Sequence, residues 1–431
     1  MPGSEAGPRP PAPRASLDQW LSYLESIHPL EMELGLDRVL VVLRRLMPAR
    51  PKARVITVGG TNGKGSTVAA LEALLLACGE TVGCYTSPHL ETYNERVRIN
   101  GTNASDQALI AAFEQVEAAR RGTTLTYFEF GTLAAFLVMT AAGVRNMVLE
   151  VGLGGRLDAV NVLDADLAII TSVDLDHTAW LGDDRNTIGF EKAGILRPGQ
   201  TAIYADLDPP PSVLQQAAAQ AVRLLRPGQG YILRQDGHQI TVDTDSGHRV
   251  PLPVDGLPLN SLAAAAVAGL ELGLGLDDDR IGEVLAGVTL AGRFEQVRRA
   301  PDVFLDVGHN PHAAGWLSRR LGTLRRAGGH GRVLAVYAGL EDKDSAGVAR
   351  ALAASVDKWF LAGLDVPRGL SAGDLAGRLR AVVPADRLSV CTSVREAIDA
   401  ALGQACGDDL VLVFGSFFTV VQGRAYFPGT A

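Results

Sequence analysis

Residues 55–67 read VITVGGTNGKGST, a short apolar run that passes directly into a glycine-rich turn and then into an apolar-periodic segment beginning near Thr67. Strand, turn and helix in one register make a cradle for phosphate. Gly59, Gly60, Gly63 and Gly65 let backbone N–H groups converge on an anion, the helix directs its positive end there, and Lys64 adds a point charge. The spacing departs from the common Walker A turn, because Gly59 to Gly63 is one residue short and Gly65 separates Lys64 from Ser66. A chain carrying this turn needs a strand and a helix packed side by side, which points to an α/β fold, and ATP is the ligand the turn implies.

The rest of the chain agrees with that architecture. Short β-branched runs at Val55–Val58, Thr81–Tyr85, Met147–Val151, Leu167–Val173 and Thr201–Tyr204 alternate with helix-like segments, as in a parallel sheet with helices on both faces. The stretch Tyr231–Val254 alternates around turn residues and predicts antiparallel hairpins, and Asn260–Leu274 predicts an Ala/Leu-rich helix. A second series, Val303–Val307, Arg332–Tyr337, Lys358–Ala362, Leu388–Cys391 and Leu410–Phe414, predicts a second doubly wound unit. Stretches rich in Gly, Pro and Arg at 209–211, 226–230 and 325–331 read as loops.

At 431 residues the chain is longer than one growing core serves, so two domains are expected. A flexible tail at 1–16, an ATP-binding domain at 17–292 and a second domain at 293–431 follow from the pattern, with the boundary near Leu290–Arg298. Hydrophobic residues at 47% and charged residues at 20% fit a globular enzyme. The net charge of −8, with no basic arm, argues against nucleic-acid partners, so an anionic substrate must be met locally. Cys78, Cys84, Cys391 and Cys406 lack metal-ligand spacing and read as reduced core thiols. The start is Pro/Gly-rich without an apolar signal-peptide core, and the apolar stretch Thr132–Val144 is short for a bilayer and predicts a buried helix. A cytoplasmic protein with no membrane partner is expected.

Polar groups cluster where strands end. The segment TSPHLETYNERVRING, Thr86–Gly101, puts Ser87, Pro88, His89, Glu95, Arg96 and Arg98 where loops line the crevice of a parallel sheet, as a second-substrate or metal site or as a turn with a solvated strand edge. Glu150 ends an apolar strand and is either a Mg²⁺ ligand or an exposed strand-end carboxylate. Asp158 could accept hydrogen bonds from a ligand or cap the next turn. Asp174, Asp176 and His177 follow the next strand, and His177 could share a cation with Glu150. Lys192 would be repelled by such a cation unless it meets phosphate or loses its charge chemically; otherwise it is a solvated lysine paired with Glu191. In the second half, Arg293 suits transferring phosphate charge or a salt bridge between domains, while Asp306 and His309, near Asn310 and His312, suit nucleotide binding or orientation of an amine. Lys343 and Ser416 are edge residues, turn groups or ligands alike.

The ordered set GTNGKGS, YTSPHLETYNERVRING, TYFEFGT, LEVGLGGRLDAVN, DHTAWLG, EKAGI, GRFE and DVGHNPHAA resembles folylpolyglutamate synthase/dihydrofolate synthase, a branch of the Mur ligase superfamily, over about Leu17 to Val421. The resemblance implies a Mur-ligase-like fold, with an N-terminal P-loop ATPase domain and a C-terminal Rossmann-like domain, and an ATP- and Mg²⁺-dependent ligase joining L-glutamate to dihydropteroate and reduced folates. It implies that Thr61, Asn62, Gly63, Lys64, Gly65 and Ser66 hold triphosphate, and that Ser66, Ser87, Glu150 and His177 hold Mg²⁺. Lys192 corresponds to a lysine the family carbamylates, which would make it an anionic metal ligand. Asn260, Arg293 and Asp306 correspond to nucleotide contacts. Lys64, Lys192, Arg293 and His309 form the implied catalytic set. Glu31, Met32, Glu33, Leu34, Pro88, His89, Thr126, Tyr127, Phe128 and Asp158 line the implied pterin side, with Phe128 offering a ring to stack on. TYFEFGT and RLDAVN look like the bifunctional bacterial form, and a monomer is expected. The alternatives are a peptidoglycan- or cyanophycin-type ligase of the same superfamily, or a P-loop ATPase or kinase.

Overall fold

The computed structural model describes residues 9–30, 33–237, 239–326 and 331–428. They pack as two units: the described residues up to Asp255 together with Leu259–Val288, and Gly256–Pro258 together with those from Thr289 onward.

The first unit is built on a sheet of eleven described strands. Six run parallel, in the spatial order Arg223–Pro227, Thr201–Tyr204, Leu167–Ile170, Arg54–Gly59, Asn146–Glu150 and Val82–Tyr85. Every residue of Val55–Gly59, Asn146–Glu150 and Leu167–Ile170 is buried, which explains why these strands are near-continuous apolar runs instead of alternating ones. Further strands extend both edges: Gly230–Asp236, Gln239–Thr244 and Arg249–Leu252, paired antiparallel with one another, on one side, and the antiparallel Val97–Ile99 and Thr102–Asn103 on the other.

The helices Asp106–Arg120 and Tyr127–Ala141 pack on each other. Phe113 and Phe130 are fully buried with ring centroids 5.8 Å apart, each contributing roughly 1.5–3 kcal/mol relative to an exposed ring. The second of these helices covers most of the predicted Thr132–Val144 segment and is buried over most of its length. Lys64–Ala77 packs against Leu259–Glu271, the predicted Ala/Leu-rich helix.

In the second unit six described strands lie in the order Glu295–Arg298, Asp302–Asp306, Leu410–Phe414, Val333–Tyr337, Lys358–Ala362 and Leu388–Cys391, all parallel except the first. Helices Pro311–Arg326, Ser345–Leu352, Ala372–Leu379 and Val394–Gln404 separate its parallel strands.

Several local expectations change. The helix after the glycine turn starts at Lys64, not near Thr67, because the Gly63 carbonyl already accepts from Thr67 N (2.9 Å) and Thr67 Oγ1 (3.0 Å). Arg226–Gly230 is a tight turn between paired strands, and Pro211 opens the helix Pro211–Ala219, where its missing N–H costs nothing. Helix Pro311–Arg326 takes in Arg325. Of the cysteines, Cys84 and Cys391 are buried, Cys78 is half-buried and Cys406 is exposed; all four are unbridged, but only two are core thiols.

Candidate active site

The strand Arg54–Gly59 lies between Asn146–Glu150 and Leu167–Ile170, so the loops leaving the carboxyl ends of all three adjoin. The glycine turn is held largely by residues distant in sequence. Thr61 N donates to Ser172 O (2.8 Å), Asn62 N to Ser172 Oγ (3.1 Å), and Thr171 Oγ1 to Asn62 O (2.7 Å). The Thr61 hydroxyl accepts from Asp174 N (3.0 Å) and donates to Asp174 O (3.1 Å). From the helix Leu259–Glu271, Ser261 Oγ donates to Gly63 O (3.3 Å), and neighbouring Asn260 Nδ2 donates to Asp206 Oδ1 (3.4 Å). Gly63 has φ +86°, and a Cβ there would come within 2.7 Å of Ser261 Oγ, so backbone conformation and space both call for glycine.

Lys64 Nζ lies over the turn, donating to Gly60 O (3.1 Å) and Thr61 O (3.2 Å). Lys64, Gly65 and Ser66 occupy the helix's first turn, whose N–H groups have no intrahelical acceptor. A fixed turn, a helix start and one cation together bind polyphosphate. Thr171, Ser172 and Ser261 belong to this framework and were not singled out in the sequence; the hydroxyl-rich ITS at a strand's end was the available signal.

Two ionisable groups stand buried in the field of Lys64. Lys192, on helix Arg185–Ala193, is only 3% exposed. Burial, then the charge of Lys64, lowers its ammonium to about 7, against the pull of Asp176 and Asp158. Glu191 turns instead to Arg156 (2.8 Å), so the solvated Lys192–Glu191 pair is not the arrangement found. Asp158 is pushed up to about 6 by burial, opposed by the backbone N–H groups of Leu153, Val160 and Gly152 and by Lys64. Its carboxylate caps the short helix Ala159–Val162, accepting from Val160 N (2.9 Å) and Leu153 N (2.8 Å).

Glu150 is buried at its strand's end, and its Oε2 accepts from Ser87 N at 3.3 Å, so the exposed-carboxylate alternative does not hold. His177 is exposed, with left-handed backbone (φ +51°), and its N donates to Asp176 Oδ1 (2.8 Å). Among the described residues no three His, Cys, Asp or Glu side chains stand together as an ion cage. The carboxylate of Glu150 next to Ser87, with the hydroxyl of Ser66 at the helix start, is a sparse set of hard oxygen donors. Such a set fits Mg²⁺, which keeps waters and takes phosphate oxygens beside one or two carboxylates.

The remaining loop residues divide between framework and surface. Glu95 accepts from the backbone N–H groups of Leu90, Glu91 and Thr92 (2.7–2.8 Å), and Arg98 lies in a strand with its guanidinium doubly bonded to Glu72 (2.6 and 3.0 Å). Both hold the loop, which removes them from the ligand candidates. Pro88 is exposed. His89 Nδ1 accepts from Arg96 Nε (2.8 Å), and burial, then the Arg96 charge, lowers the imidazole to about 4. The Arg96 guanidinium lies over Tyr93 and Tyr127, 5.4 and 5.5 Å from the ring centroids.

Tyr127 and Phe128 open the helix Tyr127–Ala141, whose N-cap is Thr126. The hydroxyl of Thr126 accepts from Glu129 N (3.2 Å), which commits it to the cap. Phe128 lies against Gly152, where a Cβ would meet its ring edge at 2.5 Å, and 5.8 Å from the ring of Tyr85. Leu34 packs on the cluster that includes Val151 and Leu153. Glu31 and Met32 lie outside the described residues.

In the second unit Asp306 is buried, accepting from Phe294 N (2.8 Å) and Gly308 N (2.7 Å). Burial raises its carboxyl, while Arg293, these two N–H groups and His309 pull it down. His309 Nδ1 donates to Val307 O (3.0 Å), and Asn310 Oδ1 accepts from Ala313 N (2.9 Å) at the start of Pro311–Arg326; His312 follows in that helix's first turn. Arg293 Nη1 donates to Gly292 O (3.3 Å), with its guanidinium 5.2 Å from the centre of the Phe417 ring. Ser416 caps the helix Phe417–Tyr426 through Thr419 N (3.0 Å), and Lys343 is buried 3.7 Å from Asp342.

Comparison with known proteins gives these arrangements a family. Residues 292–417 match the Mur ligase, glutamate ligase domain. The chain is 43% identical over 414 residues to the dihydrofolate synthase/folylpolyglutamate synthase of Escherichia coli K12, covering 96% of both chains. It superposes with TM-score 0.89 on E. coli FolC in complex with DHPP and ADP, at 42% identity, covering 96% of this chain and 98% of that one. A bifunctional folylpolyglutamate synthase/dihydrofolate synthase with Mn, AMPPNP and L-glutamate bound gives TM-score 0.87 at 43% identity, covering 97% of this chain and 99% of that one. With its glycine turn, its two α/β units and 43% identity to one of these proteins over 96% of both chains, the chain belongs to the dihydrofolate synthase/folylpolyglutamate synthase family of Mur-type ligases.

Proposed function

We propose that this protein is an ATP-dependent amide ligase that joins L-glutamate to the carboxylate of dihydropteroate and, in a second activity, to reduced folates. The observation that carries the reading is the glycine turn fixed by Thr171, Ser172 and Ser261 under Lys64, in a chain 43% identical to a dihydrofolate synthase/folylpolyglutamate synthase. It favours this ligase over a P-loop kinase or a peptidoglycan-type ligase.

A carboxylate does not acylate an amine at neutral pH, so one of its oxygens must become a leaving group. Transfer of the γ-phosphoryl group of ATP to that oxygen releases ADP and leaves an acyl phosphate, with Lys64 and the N–H groups of Gly63–Ser66 meeting the charge spread over the transferring group. The neutral amine of glutamate then adds to the acyl carbon, and collapse of the adduct expels phosphate and forms the amide. Thr61, Asn62 and Asn260 position the nucleotide. Glu150, Ser87, Ser66 and His177 would hold Mg²⁺, which supplies further charge neutralisation when bound. An amine lowered to about 7 reacts readily with CO₂, losing a proton, so Lys192 is read as carbamylated and as a further oxygen donor to that ion. Phe128, Leu34 and Tyr127 offer apolar surface to the flat pterin end, with Glu33, Pro88 and His89 on its polar margin and Asp158 as the acceptor behind it. In the second unit Arg293 and Asp306 take nucleotide roles. His309, whose Nδ1 proton goes to Val307 O, is read as the group that takes up the proton the amine loses. The enzyme is read as a cytoplasmic monomer, its unbridged cysteines suiting a reducing compartment.

The test supplies ATP, Mg²⁺ and L-glutamate with either dihydropteroate or tetrahydrofolate and follows ADP and amide product by mass. Product from both is expected, and none from Lys64→Ala in a natively folded variant. Product from dihydropteroate alone removes the second activity, and product from neither removes the folate reading.

A further inference from the structure

The TYFEFGT motif contains a carboxylate, Glu129, that the mechanism does not use. Glu129 is buried, and its two oxygens do different jobs. Oε2 accepts from Thr126 N (2.8 Å), closing the capping box that starts the helix of Tyr127 and Phe128, while Oε1 accepts from Arg38 Nη2 (2.8 Å). Arg38 stands in the first turn of the helix Asp37–Leu46, and its other terminal nitrogen, Nη1, pairs with Glu33 Oε1. Arg38 Nη2 also donates to the backbone carbonyl of Glu33 (3.3 Å), and the second Glu33 oxygen lies 3.1 Å from His28 Nε2. One guanidinium thus spans two carboxylates, Glu33 and Glu129, that are 96 positions apart in the chain, a geometry the rigid fork of Arg offers and a lysine does not.

We propose that Arg38 is a positioning residue for the pterin-bearing substrate: clamped between Glu33 and Glu129, it holds Glu33–Leu34 against the helix start that presents Tyr127 and Phe128. This rests on the reading of Leu34 and Phe128 as walls of the pterin site. Leu34 directly follows Glu33 and Phe128 directly precedes Glu129 in the chain, so the bonds of Arg38 to both carboxylates tie together the two segments that carry these walls. The capping box closes through Thr126 and Glu129 alone, so the helix start survives loss of Arg38. What is lost is the register of Leu34 relative to Phe128, which the substrate must then restore on binding.

The experiment is steady-state kinetics of Arg38→Met, Arg38→Lys and Phe128→Ala with dihydropteroate, ATP and L-glutamate varied in turn. Arg38→Met is expected to raise KM for dihydropteroate about tenfold, with kcat and the other two KM values within about twofold, and Arg38→Lys to recover part of the loss. An unchanged dihydropteroate KM, a parallel loss in all parameters, or full recovery in Arg38→Lys overturns the clamp. Phe128→Ala reports on the underlying site: if it leaves the dihydropteroate KM unchanged, the pterin reading itself fails, whereas a raised KM there with normal Arg38→Met kinetics rejects the clamp alone. Should Arg38→Met not fold, Glu129→Gln, which keeps an oxygen for the capping box, takes its place, with a raised dihydropteroate KM expected and an unchanged one overturning the proposal.

Discussion

At the scale of single residues, burial decides chemistry that residue type leaves open. Glu150, Asp158 and Lys192 each had two readings in the sequence, and burial bears on all three. Asp158 caps the turn that follows it, and Lys192 loses its solvent without gaining Glu191. For Lys192 this has a thermodynamic consequence. Its amine falls from 10.5 in the unfolded chain to about 7 in the folded one, so between those values the unfolded chain binds the extra proton. Native stability should therefore rise with pH across that window, and below about 7 the full cost of burying the charge remains. Urea denaturation in CO₂-depleted buffer from pH 7 to about pH 9 should show this rise, and Lys192→Met should flatten it. A variant with the parent slope would exclude Lys192 as the titrating group. The sequence marked Lys192 as odd beside a cation, but its depth needed the fold.

At the scale of elements, the strand–turn–helix at 54–77 was legible because its glycines, its lysine and its flanking apolar runs are all local signals. Its start was misjudged by three residues, since apolar periodicity becomes visible only after Lys64–Ser66, which face the turn. The partners that hold the turn were not legible, because Thr171, Ser172 and Ser261 reach it from a neighbouring strand and a distant helix. Gly63→Ala tests that framework, as it forces an L side chain into φ +86° and against Ser261 Oγ. It should destabilise the protein by about 1–3 kcal/mol in urea titration and raise KM for ATP. A change within about 0.5 kcal/mol with a normal ATP KM would show the turn to be adaptable. The capping box at Thr126 and Glu129 carries its own sequence signature, but the same carboxylate's bond to Arg38 does not, since nothing local links positions 38 and 129.

At the scale of the molecule, two sheets with separate apolar clusters make two cooperative cores. Calorimetric unfolding should accordingly give a measured enthalpy larger than the van't Hoff enthalpy of its main transition, or two resolved transitions. Equal enthalpies in one transition would show that the cores melt as one. The parallel sheets were readable as runs of buried β-branched residues at helix-length spacing, and so were the hairpins at 231–254. The edge strand Val97–Ile99 falls in the segment 86–101, for which a turn with a solvated strand edge was one of two readings, and Thr102–Asn103 follows just beyond it; Asn100 and Gly101 mark the turn, and both strands are too short to show alternation.

What the sequence determined by itself was the class of fold and the anion-binding turn, because both rest on local backbone preferences and on the spacing of apolar residues along the chain. Strand order, the burial of Lys192 and Asp158, and the Glu33–Arg38–Glu129 clamp were decided only by tertiary structure. Each depends on which distant segments exclude water from one another, a long-range property that no window of neighbouring residues encodes.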